Sequence, residues 1–342
     1  MAQRAPFRVA INGYGRIGQC VLRALYENGY RQQLQVVAIN ELSDLATIAH
    51  LTRYDSTHGR FQGEVSTEQG ALLVNGDRIE VLRYASVEDL PWQALGVDLV
   101  LECTGSFSDR AMAEHHLAAG AQRLLFSQPA EADVDRTVVF GINDDSLTVT
   151  DRIVSNASCT TNCIVPVIRV LDQALGIEAG SITTIHAAMN DQPVIDAYHH
   201  HDLRRTRSAL QNIVPVDTGL AKGIERLLPH LKDRFSAVAM RVPTTNVSAI
   251  DMTVNVRQSV TVDEVNVLLR EAAGNGLKGV LGYTDEPLAS ADFNHDPRSA
   301  IVDGGQTRVV GERMVKVLCW FDNEWGFANR MLDVSRRWLA LE

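Results

Sequence analysis

Residues 7–18 read Phe-Arg-Val-Ala-Ile-Asn-Gly-Tyr-Gly-Arg-Ile-Gly, a segment that combines two structural patterns. Its first half is a short apolar segment typical of a buried strand, and its second half has the glycine spacing GxGxxG. Apolar residues at helical spacing follow at Val21, Leu22 and Leu25. The segment therefore predicts a strand, a tight glycine turn and a helix in direct succession.

A second apolar run, residues 34–40, follows this helix and ends next to the acidic residue Glu41. Glu41 comes about 20 residues after the last glycine, where an acid that binds a ribose is expected in a dinucleotide-binding βαβ unit. A bare GxGxxG is also typical of any tight strand-to-helix turn, but the flanking strand, helix and acid favour dinucleotide binding. Since a carboxylate accepts from ribose hydroxyls and repels a 2′-phosphate, the cofactor predicted is NAD, not NADP.

The turn supplies the remaining predicted cofactor contacts. Backbone N–H groups around Arg16 and Ile17 would face a pyrophosphate at the positive end of the helix dipole. The cofactor-binding residues predicted from the pattern are Gly13, Gly15, Arg16, Ile17, Gly18 and Glu41.

Strands and helices alternate along the first half of the chain and indicate a mostly parallel, doubly wound sheet. Residues 71–82 predict a hairpin turning at Asn75-Gly76, and strands at 97–102 and 123–126 flank a helix over 109–119. After about residue 158 longer, alternating strands are predicted at 181–187, 237–244, 248–257 and 313–321. The fold class predicted is α/β: a Rossmann-type domain followed by an α+β domain with a mostly antiparallel sheet.

Composition excludes several classes of function. The chain has 342 residues, with 32 Lys and Arg against 42 Asp and Glu, a net charge of −10. This is the wrong sign for broad binding of nucleic acid or anionic lipid. No apolar run approaches the ~18 residues of a membrane helix. The five cysteines are few and scattered, as is typical of reduced thiols. We therefore expect a cytoplasmic protein that binds neither nucleic acid nor membranes.

Residues 155–163, Ser-Asn-Ala-Ser-Cys-Thr-Thr-Asn-Cys, lead into an apolar run at helical spacing. Cys159 is thus predicted at a helix N-terminus, where unpaired N–H groups and the dipole favour the thiolate that a nucleophile needs. A buried structural cysteine is the alternative. A metal or redox site formed with Cys163 is disfavoured because further cysteine ligands are lacking. No metal is predicted.

His186, at the end of the strand predicted over 181–187, is the candidate acid/base partner of Cys159. A lone histidine on an apolar strand is more often a core residue, and only the pairing with a nucleophile favours catalysis. The run His199-His200-His201 is interpreted as a solvated loop, since consecutive residues do not face one ion in regular structure.

Arginines offer candidate sites for an anionic substrate. Residues 204–207 hold three of them, which form either a solvated charge run or a phosphate site, because the guanidinium fork matches phosphate oxygens. Arg241 interrupts an otherwise apolar strand and is expected to have an anion as partner.

Several of these segments together resemble the glyceraldehyde-3-phosphate dehydrogenase family over essentially the whole chain. The matching segments are residues 12–18, 155–163, 184–187, 241–244 and 322–326. The resemblance implies an NAD-binding domain over residues 1–158 that is completed by the C-terminal helix, residues 323–342. It implies a catalytic domain over residues 159–322 and a homotetramer acting on a small phosphorylated aldehyde.

The resemblance also implies roles for individual residues. Cys159 would be the nucleophile and His186 the acid/base, and Asn323 would hold the nicotinamide carboxamide. The residues implied in binding the substrate or its anions are Ser158, Thr160, Arg207, Thr218, Gly219 and Arg241. The register of Arg204, Arg205 and Arg207 after the three histidines stays open.

Some positions depart from the glycolytic members of the family. Met189 stands where they have a threonine that binds substrate phosphate, and Asp217 would repel a nearby phosphate. Phe327 and Glu41 also replace the usual residues. Residues 187–192, 194–198, 213–218 and 293–297 are similar to the branch that oxidises erythrose 4-phosphate and supplies pyridoxal 5′-phosphate synthesis.

That branch implies NAD-dependent oxidation of D-erythrose 4-phosphate to 4-phospho-D-erythronate through a cysteine thioester that water hydrolyses. The alternative within the family is a phosphorylating glyceraldehyde-3-phosphate dehydrogenase. Two alternatives come from other classes. An RNA-binding protein is disfavoured by the net charge, and a cofactor-free cysteine hydrolase leaves the glycine turn and Glu41 without a role.

Overall fold

A computed structural model describes residues 5–199 and 202–341. Its chain contacts form two compact units. The first unit runs to Ser158 and takes back the chain from Phe327 onward, and the second is Cys159–Gly326. Two of the three histidines of the run, His200 and His201, lie outside the described residues.

The first unit is built on one mixed sheet, which has nine strands among the described residues. In chain order these are β1 (Phe7–Asn12), β2 (Leu34–Asn40), β5 (Val65–Glu68), β6 (Ala71–Val74), β7 (Asp77–Leu82), β8 (Leu99–Glu102), β9 (Arg123–Phe126), β10 (Arg136–Thr137) and β11 (Ile153–Ser155). A separate ribbon pairs β3 (Tyr54–Asp55) with β4 (Gly59–Arg60). The order across the sheet is β10-β11-β9-β8-β1-β2-β7-β6-β5.

The strands from β10 to β7 in that order are all parallel, and β6 and β5 add an antiparallel edge. The central strands β1 and β8 are apolar, as is typical of strands in a parallel sheet that are buried on both faces. Val9, Ala10 and Ile11 are accordingly fully buried. The predicted hairpin is confirmed: Asn75 and Gly76 have φ of 50° and 84°, as a type I′ turn requires.

Three helices of this unit are α1 (Arg16–Glu27), α2 (Leu45–Arg53) and α3 (Arg110–Ala118). Helix α3 agrees with the prediction over 109–119, and it begins where the Asp109 side chain accepts from the Met112 N–H. The order β1-α1-β2 with parallel pairing of β1 and β2 is the predicted βαβ unit.

The second unit contains a seven-stranded sheet within the described residues, in the order β13-β14-β12-β15-β18-β17-β16. Its strands are β12 (Ile177–His186), β13 (Val214–Val216), β14 (Phe235–Arg241), β15 (Ser248–Val256), β16 (Leu281–Thr284), β17 (Ala300–Val310) and β18 (Met314–Phe321). Only the pairs β12–β14 and β16–β17 are parallel, so the predicted mostly antiparallel sheet is confirmed.

The helices of the second unit are α4 (Cys159–Leu175), α5 (Leu220–Leu227) and α6 (Val262–Gly274). Thr261 and Glu264 form a capping box at the start of α6. A last helix, α7 (Trp325–Leu339), starts in the second unit and continues into the first. At the start of α7, Oδ1 of Asp322 accepts a hydrogen bond from the N–H of Trp325 at 2.8 Å. Among residues 5–199 and 202–341, none of the helices is both long and apolar enough to cross a membrane.

Candidate active site

In the glycine turn after β1, two of the three glycines lie too close to neighbouring backbone to be replaced by a residue with a Cβ atom. Gly13 has φ +87°, and a Cβ added there would lie 2.6 Å from the backbone nitrogen of Thr104. A Cβ on Gly18 would lie 2.4 Å from the carbonyl oxygen of Gly13. Gly15, by contrast, has nothing within 4 Å of an added Cβ and immediately precedes α1. Two glycines therefore allow the close approach of backbone segments, and the third leaves the start of α1 accessible.

The start of α1 has the chemistry of an anion site. Its first turn carries no acidic residue, and no described side chain caps it at Gly15. A phosphate is a natural ligand at the N-terminal end of a helix, here beside the backbone of Arg16 and Ile17, because the helix dipole is positive there. The side chain of Arg16 is used elsewhere: its Nη1 lies 2.5 Å from Asp55 Oδ2. Arg16 thus offers its backbone, and the turn fits the pyrophosphate of a dinucleotide.

Glu41 is held beside this turn. Its Oε2 accepts from the N–H of Tyr14 at 3.0 Å and its Oε1 from the N–H of Ser43 at 3.3 Å. Because Tyr14 lies between Gly13 and Gly15, the carboxylate is fixed against the glycine turn at the end of β2. A carboxylate retains further lone pairs for ribose hydroxyls. These residues together fit an NAD with an unphosphorylated adenosine ribose.

Cys159 is the first residue of α4, as the sequence predicts. It follows Ala157, whose φ of 56° is unusual for a residue with a Cβ and indicates a constrained approach to the helix. Its Sγ lies 3.7 Å from Nε2 of His186. The two predicted catalytic groups are therefore in contact, although 27 positions separate them in the chain.

The protonation of Cys159 differs from the expectation for a helix N-terminus. Burial raises the pKa of Cys159 to about 11, and hydrogen bonds from backbone N–H groups and the charge of Arg241 offset this only in part. The dipole alone thus does not form the thiolate, because removing the sulfur from water disfavours its charge more strongly. A base that takes the proton during reaction is needed.

His186 is arranged to be that base. It ends β12 and is 5% exposed. Its Nδ1 lies 2.8 Å from the carbonyl oxygen of Ala187, which can only accept, so Nδ1 carries the proton and Nε2 presents a lone pair toward Cys159. Burial, followed by the charge of Arg241, lowers the pKa of His186 to about 4. The imidazole is therefore neutral near pH 7.

Arg241 lies beside the catalytic pair because β12 and β14 run parallel with His186 opposite Arg241. Its Nη1 is buried, has no hydrogen-bond partner among the described residues, and lies 3.7 Å from Oδ1 of Asp191. A guanidinium in this situation attracts an anion, as the sequence predicts.

Two arginines of the run over 204–207 have different carboxylate partners. Arg205 donates from Nη1 to Oδ2 of Asp191 at 3.0 Å and thereby shares this carboxylate with Arg241. Arg207, the predicted substrate residue, instead pairs with Asp196 at 2.9 Å, and both side chains are 59% exposed. The structure therefore brings Arg205, not Arg207, to the cluster around Arg241. Sequence reasoning left open which arginine of the run faces the site, and it did not single out Asp191.

Other predicted residues lie at helix starts. Thr218 and Gly219 precede α5, and the Thr218 hydroxyl accepts from the N–H of Leu220 at 3.2 Å. Ser158 and Thr160 flank Cys159 in the chain and are half-buried. Helix α5 packs on α4. Two substituted positions, Met189 and Asp217, are exposed, Met189 to 43%.

Asn323 lies between β18 and α7 and is nearly buried. Its Oδ1 accepts from the hydroxyl of Ser248 at 2.7 Å. Ser248 is fully buried and was not singled out in the sequence, because a serine at a strand start carries no distinguishing pattern.

Cys163 and His199, which the sequence analysis set aside, have other surroundings. Cys163 is fully buried one turn further along α4, where burial raises its pKa well above the usual value. His199 accepts through Nδ1 from the N–H of Asp202 at 3.1 Å, a bond within its own loop. All five cysteines have free thiols.

Two models of known protein families match the chain. Residues 7–110 match the model of the glyceraldehyde 3-phosphate dehydrogenase NAD binding domain, and residues 158–323 match that of the C-terminal domain. The chain belongs to the glyceraldehyde-3-phosphate dehydrogenase family. It is an NAD-dependent oxidoreductase acting on a phosphorylated aldehyde sugar, and its Rossmann-type domain with a catalytic C-terminal domain agrees with the predicted fold class.

Proposed function

We propose that the enzyme oxidises D-erythrose 4-phosphate to 4-phospho-D-erythronate with NAD, through a thioester on Cys159 that water hydrolyses. The observation that carries the covalent chemistry is the 3.7 Å contact between Cys159 Sγ and His186 Nε2. The preference for hydrolysis is supported by the charges around the anion site. The identity of the aldehyde rests on the resemblance to the erythrose-4-phosphate branch.

Acylation begins with a proton transfer between these two groups. His186 Nε2 accepts the thiol proton as Sγ adds to the aldehyde carbon, and the proton then passes to the carbonyl oxygen to give a thiohemiacetal. Nε2 next accepts that hydroxyl proton while the carbon loses a hydride, and a thioester remains. Bound NAD supplies the hydride acceptor at its nicotinamide. The low pKa of His186 keeps Nε2 free to accept a proton at each stage.

Deacylation is the step at which water and phosphate compete. Asp191 already provides a carboxylate to both Arg205 and Arg241, so an incoming phosphate must compete with it. Met189 supplies no hydrogen bond where glycolytic relatives have a threonine, and Asp217 adds a negative charge next to Thr218. Each change weakens phosphate binding, and His186 can activate water as the remaining nucleophile.

The test is NADH formation from erythrose 4-phosphate in phosphate-free buffer, followed by a phosphate titration with phosphorus NMR of the product. We expect nearly the same rate with and without phosphate, and the free acid as product. A strict phosphate requirement or an accumulated acyl phosphate would assign the enzyme to the phosphorylating alternative. That alternative is favoured by the two arginines, Arg205 and Arg241, which lie around Asp191 and could hold an anion in its place. Glyceraldehyde 3-phosphate is therefore assayed in parallel.

We also propose a cytoplasmic homotetramer whose product supplies pyridoxal 5′-phosphate synthesis. The five free thiols support the compartment. The described part of the loop over 188–214 exposes several large apolar side chains, which supports burial against another subunit. These are Val194, Ile195, Tyr198, Leu203, Leu210 and Ile213. Light scattering coupled to size-exclusion chromatography measures the mass, and a monomer would contradict the assembly.

A further inference from the structure

Ser248 connects two groups that the proposed reaction uses separately. It is the first residue of β15, the strand that lies between β12 and β18. His186 ends β12, and Asn323 follows the end of β18. The sheet order therefore brings one hydroxyl between the acid/base residue and the residue implied in holding the nicotinamide carboxamide.

The hydrogen bonds around this hydroxyl have fixed directions. The N–H of Ala187 donates to Ser248 Oγ at 3.0 Å, and the Oγ proton is donated to Asn323 Oδ1 at 2.7 Å. The carbonyl of the same Ala187 accepts from His186 Nδ1 at 2.8 Å. Ser248 and Ala187 are fully buried, so no water competes for these bonds.

The direction of the bond to Asn323 decides which end of its amide is used. Since Oδ1 is engaged by the Ser248 proton, the amide presents Nδ2, a donor, on its other side. A donor recognises the carbonyl oxygen of a carboxamide. The bond to Ala187 in turn fixes the backbone that keeps the proton of His186 on Nδ1.

We propose that Ser248 is a positioning residue, which through one hydroxyl fixes both the amide orientation of Asn323 and the backbone support of His186. This inference rests on the proposed role of Asn323 toward the cofactor. It predicts that removing the hydroxyl weakens recognition of the carboxamide and also changes proton transfer at Cys159.

The first measurement is direct binding, by calorimetry on the purified enzyme, of NAD and of an analogue that lacks the carboxamide. In Ser248→Ala, the ratio of the affinity for NAD to that for the analogue should fall by about five- to tenfold, the effect of one buried hydrogen bond. Ser248→Thr, which keeps a hydroxyl, should restore most of it. Ser299→Ala is the matched control, because Ser299 is a buried serine whose Oγ has no hydrogen-bond partner among the described residues.

The second measurement is the pH profile of Cys159 alkylation by iodoacetamide without cofactor. Ser248→Ala should displace this profile from that of the wild type and of Ser299→Ala. If Ser248→Ala does not fold, Ser248→Cys substitutes a weaker donor and should give a smaller loss in the same direction.

An Asn323→Ala variant separates the possible failures. If Asn323→Ala leaves the preference for NAD unchanged, the proposed cofactor role of Asn323 and this inference both fail. If Asn323→Ala weakens the preference but Ser248→Ala stays within twofold of the wild type, the inference alone is overturned. Neither result depends on which sugar phosphate is the substrate.

Discussion

The two units use different parts of the polypeptide for function. In the first, the groups that fit the cofactor are mainly backbone groups of one continuous segment, the turn from Gly13 to Gly18. In the second, side chains from separate elements meet: Cys159 from the start of α4, His186 from the end of β12 and Arg241 from the end of β14. The glycine turn therefore requires residues without a Cβ atom. The catalytic cluster instead requires side chains with particular functional groups.

This difference predicts opposite sensitivities. In the glycine turn, adding a single methyl group should be harmful wherever the backbone approaches closely. In the catalytic cluster, a substitution that keeps the volume but changes the chemistry should be harmful instead. Substitutions in the two regions test this contrast, and the largest effects are expected in the catalytic cluster.

The largest effect is expected for Cys159→Ser, which preserves shape and replaces the sulfur. The hydroxyl is a much weaker nucleophile, so turnover should fall by at least about 10⁴-fold. NAD binding, measured by calorimetry, should persist. Cys163→Ser is the matched control and should keep most activity, because Cys163 is fully buried one turn further along α4 and Cys159 is the cysteine that contacts His186. Near-normal turnover of Cys159→Ser would exclude the covalent mechanism.

His186→Asn should slow acylation by about 10²–10⁴-fold, the usual contribution of a general acid/base. A loss below tenfold would leave His186 as a core histidine. The same variant tests the protonation of Cys159. Burial raises the pKa of this thiol, so its thiolate exists above that pKa and disappears as the pH falls. Without His186 as proton acceptor, iodoacetamide alkylation should therefore slow at neutral pH and its profile should shift to higher pH.

An intermediate effect is expected in the glycine turn. Gly18→Ala places a Cβ 2.4 Å from the Gly13 carbonyl oxygen, so the turn must shift, at a cost of about 1–3 kcal/mol. NAD affinity should fall by about tenfold or more, with a lower Tm. Gly15→Ala is the matched control for Tm, because its Cβ meets no protein atom within 4 Å and its φ of −76° suits alanine. Equal losses of Tm in both variants would show that the turn does not depend on backbone clearance.

Most of the fold is predictable because its signals are local. The strand at residues 123–126 has the predicted bounds, and α7 (Trp325–Leu339) lies within the C-terminal helix expected over residues 323–342. Strand β17 was missed, because Gly304 and Gly305 interrupt its apolar pattern. Its position in the sheet comes from pairing with β18, which no local pattern reveals.

The residues of the candidate site likewise differ in how far local sequence signals predict them. The glycine turn and Glu41 follow from the spacing together with the flanking strand and helix. The contact of Cys159 with His186 required a hypothesis about chemistry, and the pKa of Cys159 required knowledge of its burial. Arg241 was identified from the sequence, but the position of the loop arginines was not. Which of Arg205 and Arg207 lies near Arg241 depends on whether its partner is Asp191 or Asp196.

The smallest effect is expected for a change of charge with no change of size. Asp191→Asn removes the carboxylate shared by Arg205 and Arg241, so an anion no longer competes with it. Because Asp191 is partly exposed, water screens the interaction, and we expect a gain of only about two- to fivefold in the affinity for inorganic phosphate. Phosphate should also yield more acyl phosphate from the thioester, as measured by phosphorus NMR.

Asp196→Asn is the control that makes this result specific. It likewise removes the carboxylate partner of one loop arginine, Arg207, but that pair is well exposed. Phosphate affinity should therefore stay within error of the wild type. If Asp196→Asn raised it as much as Asp191→Asn, the effect would be a general gain of positive charge, and no special role would be left for the carboxylate of Asp191. If only Asp191→Asn raised it, the nucleophile would be selected by a carboxylate that the enzyme places against its own arginines.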